Sequence, residues 1–371
     1  MLYLFDHYGT DIMSRLHRDG ELQGLPSLEA ALKADGASSL YGVLHDFQSM
    51  TLLDKIVGDA KHSVVLGVPK SRVTTPSLRS TINFDNPNIN DDPGAAPNGA
   101  DYVSLQDANG KVLKGRDLRS LAFTGAKQLP PLPLAWSIVP NDPDRPGNPV
   151  LWSGNASNPD ASAVTEVTVP TADPTLRFLA KYGAEFGFDY GYVQVSTDGG
   201  ATYTTIAGDK TVDAPLGPGL NGTTTGFEPH SYDLSAYAGK SILVAIRYVS
   251  DGGVNEGGLL VDDITVGGTT VSDGSSLAPF MSPTQIHPTD VHNWNVRLVG
   301  IDEGKVPKVL QVAFNGKSSI SLSRAQLALA SPFDKVVAIV AYDEPTEQVQ
   351  QYAPYTLKAN GVTQPGGSTG T

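Results

Sequence analysis

The sequence has no cysteine, which excludes a disulfide framework, a Cys-ligated zinc and a thiol nucleophile. It is also poor in basic residues: 26 Lys+Arg stand against 39 Asp+Glu, a formal net charge of −13. A general nucleic-acid or anionic-membrane surface needs clustered Lys and Arg, so this balance argues against both, while cation binding is compatible with it. Long apolar runs are missing as well. The longest, such as Val336–Tyr342, reach seven residues, far short of the roughly 20 that a membrane span requires. The N-terminal Met-Leu-Tyr-Leu-Phe-Asp-His-Tyr has neither the basic region nor the small-residue cleavage site of a signal peptide. It reads like the middle of a helix, and the chain is expected to begin inside a domain.

Proline is scarce in one place only. Of 27 prolines, Pro26 alone precedes residue 69, and that stretch has helical periodicity. Leu4, Phe5, Tyr8, Ile12 and Leu16 share one face, Gly9 weakens the helix near its middle and Gly20 is a plausible stop. Leu28–Ala34, ending near Gly36, reads as a second helix. A third follows Ser38 or Ser39 as cap, with Leu40, Val43, Leu44, Phe47, Met50, Leu52 and Leu53 apolar. From residue 65 the period becomes two and turn residues multiply. Strands are expected at Ser120–Phe123, Val150–Ser153, Val164–Val169, Thr175–Tyr182, Tyr190–Ser196, Thr202–Ile206, Ile242–Val249 and Leu259–Val266. Others follow at Asn293–Ile301, Val309–Phe314, Ser319–Leu322, Val336–Tyr342 and Tyr355–Ala359.

The fold class expected is therefore mainly β: a jelly-roll-like antiparallel sandwich plus a smaller C-terminal β-sandwich, preceded by a short α-helical segment. The boundaries expected are helices over 1–65, a lead-in and loop region over 66–116, the larger sandwich over 117–270 and a linker over 271–289. A fibronectin-like sandwich over 290–361 and a disordered tail over 362–371 complete the division. The apolar helix face would be exposed by itself, so residues 1–60 are expected to be the least stable part or to dock on the sandwich.

No catalytic constellation is present. None of the seven histidines is followed by Glu, so the His-Glu-x-x-His of a zinc peptidase helix is absent. There is no Gly-x-Ser-x-Gly elbow and no phosphate loop around Gly208. Ser196-Thr-Asp-Gly-Gly-Ala-Thr-Tyr203 matches the Asp-box pattern of sialidases in a single copy, which reads as a tight turn held by Asp198. Asp262 and Asp263 end a strand, and a carboxylate turned inward is costly unless paired or metal-bound. With the loop residues Glu185, Asp189, Asp251, Asn255 and Glu256 they form an oxygen-rich set suited to structural Ca²⁺; the alternative is backbone capping by the same carboxylates. His287, Asp290 and His292 have metal-like density but no fourth ligand nearby in sequence. Tyr182, Tyr190 and Tyr192, with Phe186 and Phe188, read either as a sugar- or peptide-binding platform or as sandwich core.

From residue 121 to residue 266 a family resemblance emerges. Leu121-Ala-Phe-Thr-Gly-Ala-Lys, Leu129-Pro-Pro-Leu-Pro-Leu-Ala-Trp136 and Leu151-Trp-Ser-Gly-Asn-Ala-Ser resemble the region following the protease domain of immune inhibitor A-type zinc metallopeptidases. So do Phe188–Tyr203, Tyr232-Asp-Leu-Ser-Ala-Tyr-Ala-Gly-Lys and Arg247–Ile264, while Ile82-Asn-Phe-Asp-Asn-Pro-Asn looks like the family's lead-in. Tyr3–Gly9 with Ile12–Leu16 is similar to the helical segment just downstream of a gluzincin zinc site. The resemblance implies a secreted bacterial metallopeptidase whose Zn²⁺ ligands lie outside these residues. It implies polypeptide substrates or cell-surface glycans as partners of the parent enzyme, and a non-catalytic role for this region. The competing reading is a stand-alone extracellular carbohydrate- or protein-binding module.

Overall fold

The computed structural model describes residues 1–37, 39–58, 94–302 and 305–367, with Val64, Val65, Val68, Pro69, Thr74, Thr75, Leu78, Ser80, Ile82 and Phe84. Ser38, His62, most of the lead-in Ile82–Asn88 and residues 368–371 of the expected tail lie outside the described residues. Two compact units emerge: unit 1 comprises Met1–Leu129 and Asp290–Thr371, and unit 2 comprises Pro130–Thr289.

Unit 1 begins with helices α1 (Leu2–Arg18), α2 (Gly24–Ala34) and α3 (Leu40–Gly58). Gly9, at φ 76°, interrupts α1 in its middle, where the missing side chain lets the backbone leave the helical region. A two-residue ladder joins β1 (Val64–Val65) to β2 (Val68–Pro69). Strands β3 (Asp101–Ser104) and β4 (Ser120–Gly125) then precede unit 2 in sequence. After unit 2 come β16 (Asn293–Ile301), β17 (Lys308–Val312), β18 (Ser319–Ser323), β19 (Lys335–Asp343), β20 (Tyr355–Ala359) and β21 (Val362–Thr363). They form two antiparallel sheets, β17-β16-β19-β3 and β18-β4-β20-β21.

The apolar run Val336–Tyr342 has a physical cause here. Val336, Ala338, Val340 and Tyr342 face the sandwich core with Phe123, Trp294 and Leu357. Val337 and Ile339, pointing the other way, are covered by Leu52 and Leu53 of α3. A strand buried on both faces is apolar throughout rather than alternating. Arg297 fastens the helix with polar contacts, donating through Nη1 to Ser49 Oγ at 2.7 Å and to the His45 carbonyl at 2.8 Å. The helices thus dock on a sheet of unit 1.

Unit 2 is a second antiparallel sandwich. Its strands are β5 (Ser137–Val139), β6 (Val150–Trp152), β7 (Asp160–Thr168), β8 (Thr175–Ala184), β9 (Tyr190–Ser196), β10 (Thr204–Thr205) and β11 (Gly222–Thr223). They continue with β12 (Glu228–Asp233), β13 (Ser241–Val249), β14 (Gly258–Val266) and β15 (Thr269–Ser272), followed by the short helix α4 (Pro283–Ile286). One sheet runs β10-β9-β13-β7; the other runs β11-β8-β14-β6-β5, with β12 also on β8 and β15 on β14. Inward residues of both sheets, among them Phe178, Val193, Ile246 and Val261, make one core.

Three boundaries differ from the sequence expectation. β4, expected in the larger sandwich, pairs with β18 and β20 of unit 1, so the C-terminal strands do not make a sandwich by themselves. Residues 271–289, expected as a linker, pack in unit 2: Met281 exchanges backbone hydrogen bonds with Val164, and Ser282 caps α4 in a capping box. Of the expected disordered tail, Gln364 is buried and bonded to Gln106 in both directions, at 2.7 and 3.0 Å.

One buried pair in unit 1 has a pH signature. Tyr355 Oη donates to Asp101 Oδ2 at 2.8 Å, yet burial pushes the Asp101 carboxyl up to about 6, against that hydrogen bond. Between roughly pH 4 and 6 the folded state then holds a proton that the unfolded chain releases, so stability falls as pH rises through this window. Asp101→Asn keeps an acceptor for Tyr355 and removes the titration. Urea unfolding at pH 4.5 and 7.5 is expected to show the variant gaining about 2 kcal/mol on wild type as pH rises. An unchanged difference would sink this assignment.

Candidate metal centre

The site in unit 2 follows from strand pairing. β8 and β14 are neighbours in one sheet, with Gly183 opposite Gly258. β9 and β13 are neighbours in the other, with Tyr190 opposite Val249. The β8–β9 and β13–β14 connections therefore both cross between sheets, at the same end of the sandwich. Their close approach requires glycine: a Cβ on Gly183 would lie 2.1 Å from the Glu256 carbonyl oxygen.

These two loops bring Glu185, Asp189 and Asp251 together, with one carboxylate oxygen from each within 4.8 Å of the others. Asp189 is fully buried. Its Oδ2 accepts from Tyr248 Oη at 3.0 Å and its Oδ1 from the Asp251 amide at 3.2 Å. Asp251 Oδ1 accepts from the Gly253 amide at 2.7 Å. Asn221 clamps the first loop, its Nδ2 donating to the carbonyls of Asp189 at 2.7 Å and Glu185 at 3.0 Å. Burial drives the Tyr248 hydroxyl well above the usual phenol range, and the Asp189 charge adds to it. None of the three carboxylates is ion-paired to Lys or Arg among the described residues. Three anionic oxygens on two loops, with no nitrogen or sulfur donor in the set, match a hard cation such as Ca²⁺, which takes six to eight oxygens.

The other residues anticipated from sequence lie elsewhere. Glu256 shares the second loop, but its carboxylate accepts from Thr223 Oγ1 at 3.2 Å and is not one of the three. Asp262 and Asp263 sit at an irregularity within β14, where the ladder to β8 shifts register. Asp262 is fully buried and paired with Arg145 Nη2 at 2.7 Å; it also accepts from Asn148 Nδ2 at 2.6 Å and the Asp263 amide at 2.8 Å. Asp263 shares the same Arg145 nitrogen at 2.8 Å. A guanidinium thus occupies the place the sequence reading gave to a metal.

The tyrosines make no open platform. Tyr182, Tyr190 and Tyr192 are all buried, and Tyr192 packs so closely on Gly219 that a Cβ there would stand 2.9 Å from its ring. Phe186 and Phe188, on the carboxylate loop, are the exposed aromatics, at 84% and 58% of their surface. The Asp-box segment is a turn: Asp198 accepts from the Thr202 amide at 3.0 Å, Thr202 Oγ1 at 2.6 Å and Ser196 Oγ at 2.7 Å. These bonds, the Thr202 hydroxyl first, hold its carboxyl well below the usual range. Asn221 and Tyr248 were not anticipated; the sequence gives no spacing signal for either.

Comparison with known proteins gives two findings, the first of which falls in this unit. Residues 140–277 match the family described as "Immune inhibitor A-like, MAM domain". The "Pre-pro-metalloprotease PrtV" of two Vibrio cholerae serotype O1 strains, M66-2 and ATCC 39315 / El Tor Inaba N16961, is 36% identical over 104 residues. That alignment covers 26% of this chain and 11% of each relative, so the chain spans about a tenth of the length of the curated relatives it matches. The similarity to the immune inhibitor A-like MAM domain thus lies over residues 140–277, within unit 2.

Proposed function

We propose that the chain is a non-catalytic, post-catalytic region of a secreted bacterial metallopeptidase, and that Ca²⁺ held by Glu185, Asp189 and Asp251 stabilises its MAM domain. The match of residues 140–277 carries the reading. The absence of His-Glu-x-x-His from the sequence supports the lack of catalysis. Zinc-dependent proteolysis of polypeptides would then belong to other parts of the parent enzyme. Cell-surface glycans or protein substrates would be what this region helps to engage. In a casein assay with added Zn²⁺ the chain is expected to show no hydrolysis; chelator-sensitive cleavage would overturn the proposal.

The cation has its own test. A ligand that binds only the folded state stabilises by about 2.7 kcal/mol at a hundred times its Kd, or about 5–10 °C in Tm for a domain of this size. Millimolar Ca²⁺ is expected to raise the Tm of the intact chain by that order. Glu185→Gln combined with Asp251→Asn is expected to abolish the rise. Equal responses in variant and wild type would remove the cation from this site.

A further inference from the structure

Unit 1 contains a groove of about 470 Å³ that the MAM-domain match does not cover. Three segments line it: Lys127 after β4, Val291–Trp294 leading into β16, and Gly316–Ser319 before β18. Their relative positions are locked from beneath. The Gly125 amide donates to the Ser318 carbonyl and the Val291 amide to the Lys127 carbonyl, both at 2.8 Å. Trp294 Nε1 donates to the Ala126 carbonyl at 2.9 Å, and its ring lies so close over Gly125 that a Cβ there would be 2.2 Å away. Asn315 and Gly316, at φ 50° and 75°, turn the chain so that Lys317 reaches the rim.

The chemistry of the lining is opposite to that of the whole molecule. Acids outnumber bases 39 to 26 in the sequence, yet the groove is lined by Lys127, Lys317 and His292 and by no carboxylate. Neither lysine is ion-paired among the described residues. Asp290, next to the groove in sequence, is engaged by Gln128 Nε2 at 3.1 Å. Two ammonium groups facing a groove with no counter-charge favour an anion. The hydroxyls of Ser318 and Ser319 beside them suit a ligand with its own hydroxyls, and Val291 supplies apolar surface. The volume falls in the ~300–1,000 Å³ range of small-molecule sites, well beyond one oxyanion.

We infer that this groove binds an acidic saccharide. The acid group sits between Lys127 and Lys317, with sugar hydroxyls on Ser318 and Ser319 and the ring's apolar face toward Val291. The inference is independent of the Ca²⁺ reading and of the parent enzyme's activity.

The test is calorimetric titration of the intact chain with a heparin-derived tetrasaccharide, trigalacturonate, maltotriose and sodium sulfate. Saturable one-site binding of at least one acidic saccharide is expected. Lys127→Gln/Lys317→Gln is expected to weaken it at least tenfold with the Tm unchanged, since both lysines are exposed. Lys33→Gln/Lys240→Gln, exposed lysines elsewhere, should leave it intact. Equal affinity for maltotriose, equal affinity for sulfate alone, no binding of either acid saccharide, or indifference to the Lys127/Lys317 pair would each overturn the inference.

Discussion

Removing residues 290–371 is expected to unfold unit 1 and to leave unit 2 folded. The reason is how the two cores are composed. Every buried apolar residue of the unit 2 core, from Trp136 to Phe280, lies within 130–289. The unit 1 sandwich, in contrast, draws six of its eight strands from beyond residue 290 and only β3 and β4 from before residue 130. Without those six, Phe123 loses Trp294, Phe314 and Tyr355, and Leu52 and Leu53 of α3 lose the sheet they cover. Hydrogen exchange on the 1–289 variant should show β4 and α3 unprotected and β8, β13 and β14 as protected as in the full chain. Residues 130–289 expressed separately should unfold in one cooperative transition. Protected β4 amides in the truncated chain would show that unit 1 is not built as described.

A second large effect is expected at the Arg145 pair. Asp262 is fully buried, and burial raises its pKa against the opposing Asp263 amide and Arg145 charge. Replacing Arg145 by Met removes the only cation paired with Asp262 among the described residues and leaves a buried, uncompensated carboxylate. Breaking such a pair from one side costs about 3–5 kcal/mol, whereas replacing both partners is often nearly neutral. Arg145→Met is thus expected to destabilise unit 2 by that amount. Adding Asp262→Asn, whose oxygen still accepts from the Asp263 amide and whose NH2 donates to Asn148 once that side-chain amide turns over, should recover most of it. Urea unfolding of the single and double variants of residues 130–289 measures both. A loss below 1 kcal/mol, or no recovery in the double variant, would show that the pair is not the compensating element.

These residues also mark how far the sequence could be read. Period-two alternation located the longer strands, because it reports which side chains are buried, but it missed β12 and the short β1, β2, β3, β5, β11, β15 and β21. It carries no information on which sheet a strand joins, so β4 went to the wrong sandwich: its partners lie beyond unit 2 in the chain. Glu185, Asp189 and Asp251 were legible as loop carboxylates flanking strands, and the structure brings them together through the β8–β14 and β9–β13 pairings. Asp262 looked equivalent, since a sequence shows an inward acid without showing its counter-ion. Arg145, far upstream, decides between a metal and an ion pair. The tyrosines of β9 were ambiguous for a related reason: Tyr190 and Tyr192 alternate like a decorated outer face, but the segment around Gly219 and Leu220 covers that face.

The two ends of unit 2 are clasped: the Leu132 amide donates to Thr284 Oγ1 at 2.8 Å, and Ser282 Oγ donates to the Leu132 carbonyl at 2.7 Å. For the chain as it folds, this clasp sets an order of events. β4 ends at Gly125 and β18 begins at Ser319, so while unit 2 is unstructured they must find each other across a loop of about 190 residues. Once the clasp from Leu132 to Ser282 has closed, the same search spans about 40 residues. Loop-closure entropy grows with the logarithm of loop length, so that shortening is worth about 1.4 kcal/mol to the pairing of β4 with β18. The inserted domain therefore acts on its host as a folding template, and slowing its closure should delay unit 1 even though the two cores share no residue.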